Sequence, residues 1–315
     1  MTGKDRLRIL LDGGVPDQPP TWELVFQIPG PFFGMDPTPV RSADYATRAD
    51  RNRAIWMHDA AVCHRLVDEL GWAAVRGGYD PDEVRTIREQ IGAKALVAGY
   101  EGEGVFWMPT GGDIMDFVVK LYERPDLLHA EARAKCDRAK DLLKQLADAG
   151  ADFFVGTYDF GFNDQPFISP AHFGEFVAPY LTEIVQAAHD MHRKILLHSD
   201  GCLTEILALI HATGIDGYQS VDPQGHMDIR AVRRDYPDWL LMGNVQCSML
   251  QDTDEGKIRQ SVRYCMTHGG IGKRYVFSTS NCIFAGMPPE SYRVMLDEYR
   301  RCIEQEKLDT TEQAD

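Results

Sequence analysis

Short apolar or β-branched runs recur along the chain, each followed by a turn and then by a longer stretch whose apolar positions have helical spacing. Repeated βα units give this alternation, because a strand covered on both faces reads as a continuous apolar run and the helix covering it shows one apolar stripe. The runs fall at Trp22 to Phe26, Ala73 to Gly77, Ala95 to Gly99, Phe153 to Thr157, Ile195 to His198, Gly217 to Val221, Leu240 to Asn244 and Tyr275 to Ser278. Eight such runs predict an α/β protein built as a closed (β/α)8 TIM barrel.

The helices between them have readable ends. Ser169-Pro170 offers an N-cap with proline at the first helical position, and Phe173, Phe176, Tyr180 and Ile184 then share one face, a stripe read as core. Asp80-Pro81, Arg124-Pro125 and Gly111-Gly112-Asp113 read as helix starts, and Gly71, Gly150 and Gly214 as helix stops. Lys4 to Leu11 predicts a short helix closing the barrel bottom. No Gly, Ser or Pro-rich linker divides the chain, so one domain over residues 1–309 is expected, with a frayed polar tail over 310–315. The loop Gln27 to Val40 places Ile28, Phe32, Phe33 and Met35 among prolines and glycines. Its apolar content suits a lid over the mouth, a homodimer contact, or a loop packed on itself.

Composition narrows the function classes. The chain of 315 residues is 44% hydrophobic and 26% charged, as in globular proteins, and no stretch has the roughly eighteen consecutive apolar residues of a membrane span. The charged start Lys4, Asp5, Arg6 and Arg8 does not read as a signal peptide. Seven cysteines without a C-x-x-C pair fit a reducing cytoplasm better than a disulfide framework. A net charge of −15 argues against a nucleic-acid partner, and against a substrate with many carboxylates unless cations gather at the site.

In a barrel, the chemistry sits at the carboxyl ends of the strands. The richest end is Lys194-Ile195-Leu196-Leu197-His198-Ser199-Asp200-Gly201, where an apolar strand delivers a histidine and an aspartate, one residue apart, to the same face. Histidine can serve there as acid, base or metal ligand, with the carboxylate holding its tautomer. The plainer reading is a hydrogen-bonded histidine and an aspartate capping the next helix. Other ends add Tyr158 and Asp159, Gln219 and Asp222, Asn244 and Gln246, and Ser280, Asn281 and Cys282. So many polar strand ends suggest a shared pocket in which His198, Asp200 and Asp159 are the catalytic candidates. Tyr158, Asp222, Asn244, Gln246 and Asn281 are the candidates for binding a small-molecule substrate. Glu23, inside an apolar run, is either a further pocket residue or lies near a solvated strand start. His198, Asp200 and Cys282 (or Cys202) are of types that zinc accepts, although no compact zinc motif supports them. There is no P-loop, no G-x-G-x-x-G after a strand and no G-x-S-x-G elbow.

A set of motifs spans nearly the whole chain. It comprises the Asp5-Arg6 helix leading to Pro16-Asp17, Phe167-Ile168-Ser169-Pro170 through Phe176, Pro179 and Tyr180, and His198-Ser199-Asp200-Gly201. It continues with Met227-Asp228, Gly243-Asn244-Val245, and Ser278-Thr279-Ser280-Asn281 ahead of Pro288-Pro289-Glu290. In these the chain resembles the uroporphyrinogen decarboxylase superfamily, which includes decarboxylases and corrinoid-linked methyltransferases. The resemblance implies the barrel independently of the strand count. Decarboxylases of the superfamily grip a tetrapyrrole's carboxylates with an arginine-rich motif after the first strand, whereas Glu23 to Pro39 here holds no arginine or lysine. Its zinc methyltransferases use a His-x-Cys pair and a later cysteine. Here His198 is present, Asp200 takes the second place, and Asn281 the third with Cys282 one residue off.

The leading expectation is therefore a methyltransferase acting on a small methylated or methyl-accepting substrate, with a corrinoid protein or tetrahydrofolate as methyl carrier, in which His198 and Asp200 either activate the acceptor or hold a metal such as zinc. The alternatives are a decarboxylase of a small or tetrapyrrole carboxylate, and a ligand-binding barrel without catalysis.

Overall fold

The computed structural model describes residues 1–36 and 45–312. Among these residues, seven strands form one parallel sheet in sequential order: β1 Ala74–Gly78, β2 Leu96–Glu101, β3 Phe153–Thr157, β4 Ile195–His198, β5 Gly217–Ser220, β6 Leu240–Val245 and β7 Tyr275–Thr279. Each corresponds to an expected apolar run. Helices lie between successive strands, as parallel neighbours require.

Alternation along the strands sorts the core into two shells. Ala74, Leu96, Ala98, Phe153, Val155, Leu196, Leu240, Met242 and Val276 share one cluster with Trp22, Leu24 and the opening helix's Leu7, Leu10 and Leu11. The intervening Val75, Val97, Phe154, Ile195, Leu197, Tyr218, Leu241, Tyr275 and Phe277 belong to a second cluster that also contains the covering helices' buried faces. The sheet is curled enough for Trp22 to meet Phe153 of β3 edge-on, with ring centroids 5.4 Å apart.

The expected eighth strand is not formed. Residues 20–28 make only isolated parallel bridges, Thr21 with Phe277 and Phe26 with Ile283. Main-chain bonds still tie the segment to both sheet edges, since the Ala73 N–H donates to the Thr21 carbonyl at 2.9 Å and the Trp22 N–H to the Phe277 carbonyl at 3.3 Å. Between the bridges a side chain interrupts the ladder: the Glu23 carboxylate accepts the Thr279 N–H at 3.0 Å. The arrangement is a TIM-barrel-like α/β fold with seven parallel strands.

The expected helix ends are present. Ser169 caps Pro170–Phe176 by accepting the His172 N–H at 3.2 Å, and Asp80 caps Pro81–Ile91. The Phe173 to Ile184 stripe is buried, although a break at Val177 divides its helix in two. In the apolar loop, Pro29–Phe33 is a short helix whose Phe32 packs against Phe26 and Tyr292; residues 37–40 lie outside the described part. The last helix, Pro289–Glu312, runs into the segment expected to fray, and residues 313–315 are not described.

Candidate active site at the strand ends

The register sets Thr157 of β3, His198 of β4 and Gln219 of β5 side by side. His198 follows Leu196 by two residues and so faces the inner side of the sheet, where it is 7% exposed. Beyond it the chain turns at Gly201, whose φ is +77° and where a Cβ would stand 2.2 Å from the Gly161 carbonyl oxygen. Only glycine fits this turn, which holds Asp200 beside the histidine.

Gln219 fixes the state of the imidazole. Its amide nitrogen donates to the carbonyls of Thr279 at 3.5 Å and Asn281 at 3.4 Å, which leaves its oxygen to accept from His198 Nδ1. With the proton on Nδ1, Nε2 presents a lone pair. Asp159 Oδ1 lies 3.7 Å from that nitrogen and also accepts the Asp200 N–H at 3.4 Å. The Asp200 carboxylate accepts the Ser220 hydroxyl at 2.8 Å on one oxygen and the Asn281 amide on the other. Burial pushes the Asp200 carboxyl above its ordinary value; His198 pulls it back, and Asp159 and Asp222 add to the rise.

Asp159, His198 and Asp200 each offer one ligand atom, all within 4.8 Å of one another. Ligand atoms around a four-coordinate divalent ion stand about 3.4 Å apart, so modest side-chain movement would seat a cation among them. Two carboxylate oxygens and one imidazole nitrogen suit zinc and harder divalent ions. Cys282, expected as a ligand, lines the adjoining cavity but lies outside this trio, with its thiol held well above the usual range by burial. Asp159 takes the third place.

A cavity of about 770 Å³ reaches Asp159 and His198 of the trio at the carboxyl ends of the strands. Asp159, His198, Asn281 and Cys282 line it, together with Leu24, Val25, Tyr79, Tyr100, Glu101, Glu103, Trp107 and Thr157. Lys135 and Arg138 project from helix Pro125–Asp148 to form part of its wall. The Tyr79 hydroxyl and Thr157 Oγ1 are hydrogen-bonded at 3.0 Å on its rim.

Glu101 was not among the expected residues. β2 runs two residues beyond the apolar stretch Ala95 to Gly99 and so carries this carboxylate to the cavity. It is 1% exposed, accepts the Tyr158 hydroxyl and accepts the Glu103 N–H at 2.7 Å; burial raises its carboxyl above the ordinary value. The only sequence signal was a pair of glutamates, Glu101 and Glu103, set among the glycines after a strand.

The remaining candidates lie apart from the trio. Tyr158 is fully buried with its hydroxyl on Glu101. Asp222 accepts the N–H groups of Gly201 and Gln224 at 3.3 and 3.0 Å, so it braces the turn that carries Asp200. Asn244 donates to the Val221 carbonyl at 2.7 Å and accepts from the Cys265 thiol, while Gln246 donates to Ser248 at 2.7 Å. Glu23 is fully buried and accepts from Ser278 Oγ at 2.8 Å and from Thr279 Oγ1 at 2.7 Å. Desolvation outweighs these bonds and raises its carboxyl to about 7.

Comparison with known proteins follows the same lines. The uroporphyrinogen decarboxylase of Psychromonas ingrahamii is 28% identical over 250 residues, which is 75% of this chain and 68% of that protein. The enzyme of the same name from Photobacterium profundum is 26% identical over 252 residues, with the same coverage. Among solved structures, a methyltransferase from Methanosarcina mazei has a TM-score of 0.75 over 96% of this chain and 99% of that one; at 16% identity this is a likeness of fold. The sequence profile of the uroporphyrinogen decarboxylase (URO-D) family matches residues 104–302, and the chain belongs to that family.

Proposed function

We propose that this protein is a methyltransferase-like member of its family, acting on a small methylated substrate with a corrinoid protein or tetrahydrofolate as methyl carrier. The observation that carries this reading is the trio of Asp159, His198 and Asp200, two of which line a cavity that holds few cations. A uroporphyrinogen presents eight carboxylates, whereas the lining offers Lys135 and Arg138 against Glu101, Glu103 and Asp159. In this reading residues 1–309 form one barrel domain with segment 20–28 as its eighth stave, and seven free thiols fit a cytoplasmic enzyme.

His198 Nε2, Asp159 and Asp200 would hold zinc or a similar divalent ion. When bound, such an ion supplies Lewis acidity, lowering the pKa of an acceptor or polarising the atom that carries the methyl group. Gln219 keeps the Nε2 lone pair directed at the trio, and Ser220 and Asn281 hold the Asp200 carboxylate in place. Tyr79 and Trp107, both partly exposed, give the cavity an apolar rim that limits water around the substrate.

Decarboxylation is the second reading, favoured by the curated relatives. There an aspartate in its ionised form would stabilise developing positive charge and a protonated His198 would deliver a proton. Elemental analysis of the purified chain, paired with assays of methyl transfer and of carbon dioxide release from uroporphyrinogen, separates the two. The expected outcome is about one zinc per chain, lost in His198→Ala, with no carbon dioxide released. A metal-free protein that releases carbon dioxide overturns the proposal, and ligand binding with no turnover in either assay would leave a non-catalytic barrel.

A further inference from the structure

Helix Asp113–Glu123, which follows the loop carrying Trp107, turns an apolar face to solvent. Its inner face is seated: Leu121 is buried, and Phe117 packs against Phe106 and Phe167 with ring centroids 5.5 and 6.0 Å apart. Met115, Val118, Val119 and Tyr122 recur at helical spacing on another face, with Ile114 beside them. Met115 and Tyr122 are each 70% exposed, Ile114 and Val119 42%, and Val118 38%. Single exposed apolar residues are ordinary, but here five of the fifteen large hydrophobic side chains exposed among the described residues lie on one helix of 11 residues.

We infer that this helix is the contact of a symmetric homodimer, packed antiparallel against the same helix of a second copy about a two-fold axis between Val118 and Val119. Such a contact needs a surface that matches itself. By size the stripe reads the same in both directions: a large side chain, two intervening residues, two valines, two intervening residues and a second large side chain. Antiparallel packing about its midpoint sets Met115 of one copy against Tyr122 of the other, and Val118 against Val119. The valines let the helix axes approach at the centre, and the flexible methionine and the tyrosine ring fill the ends. Side chains of this size offer about 150–200 Å² each when free, so at these exposures five of them present roughly 450 Å² of apolar surface. Homodimer interfaces are about 65% apolar, which makes the whole contact roughly 700 Å² per copy, within the range of about 600–1,000 Å² that stable dimers bury. Asp116, at the edge of the stripe, is neutralised by Lys120 at 2.6 Å, which lessens repulsion between two acidic copies. Asp113 and Glu123 at the helix ends oppose an anionic lipid surface, so a second copy suits this face better than a membrane.

Sedimentation equilibrium of the full chain is expected to show a monomer–dimer equilibrium with a Kd of about 10 μM or tighter. Met115→Lys with Tyr122→Lys sets like charges against each other on both sides of the axis and should weaken the dimer at least about 100-fold. Met115→Lys with Tyr122→Glu sets opposite charges at the same places and should recover most of that loss. Both pairs replace exposed side chains, so their thermal melts should stay near that of the wild type. A wild-type chain that is monomeric at about 100 μM overturns the inference; flotation of that monomer with phosphatidylcholine vesicles would assign the face to a membrane instead. A dimer that the paired lysines leave intact places the contact elsewhere, and equal loss in both double variants refutes the antiparallel pairing, so either result also overturns it.

Discussion

At the scale of single residues, the candidate site depends on a chain of fixed orientations that begins away from the cavity. Glu23 holds the Thr279 N–H, the Thr279 carbonyl receives the Gln219 amide, and the Gln219 oxygen receives the His198 proton. Replacing Gln219 by leucine removes the acceptor that keeps the proton on Nδ1. Zinc affinity, measured by competition with a chromophoric chelator, is expected to fall about 10- to 100-fold, whereas Gln219→Glu, which still accepts, should largely retain it. Glu23 gives a pH signature. Its carboxyl is raised in the folded chain from 4.5 to about 7, so the folded state binds a proton that the unfolded state has already released. The associated stability is present below pH 4.5 and lost as the pH rises to 7, on the order of 3 kcal/mol in all. Thermal melts of Glu23→Gln should lack most of the decline that the wild type shows between pH 5 and 7. His198 and Asp200 were legible in the sequence because a wholly apolar strand ended on them. Glu101 was not, because the apolar run ended two residues before the strand did. Gln219 was visible only as one polar strand end among many, since the sequence does not show which polar groups are satisfied internally, as those of Asn244 and Gln246 are.

At the scale of elements, β4 is anchored at its start as firmly as at its end. Asp216 accepts the Ile195 N–H at 2.9 Å, the Lys194 ammonium at 2.8 Å and the His189 ring at 2.9 Å, with only 12% of its side chain exposed. Asp216→Ala would strand these donors at the strand that delivers His198, and is expected to lower unfolding free energy in urea by about 2–3 kcal/mol. Seven strands were readable because burial on both faces leaves a continuous apolar run that polar loops bound sharply. The Trp22 to Phe26 run has the same composition, yet a carboxylate at its centre diverts one partner N–H from the ladder. Hydrophobicity located the segment; pairing depended on a side-chain hydrogen bond, which periodicity does not encode. The break at Val177 was hidden for a related reason, because the stripe from Phe173 to Ile184 keeps its spacing across both helices.

At the scale of the whole molecule, the strand ends gather residues far apart in sequence around one cavity, and the seam beside that cavity joins the chain's beginning to its end. Leu24 and Val25 on one side of the seam and Asn281 and Cys282 on the other all line the cavity. The Ile283 N–H donates to the Val25 carbonyl at 3.0 Å, and the Gln27 N–H to the Ile283 carbonyl at 2.8 Å. Synthesis therefore makes one lip of the opening first, and its bonds to Phe277 and Ile283 form only after those later residues have left the ribosome. A product truncated before Tyr275 would keep most of its helices, six strands and the Ala73 to Thr21 bond, but would leave the other edge of the Trp22 segment without its Phe277 and Ile283 partners, a target for chaperones and proteases. The lip of the cavity is thus closed by residues synthesised well after those that bring Asp159, His198 and Asp200 together.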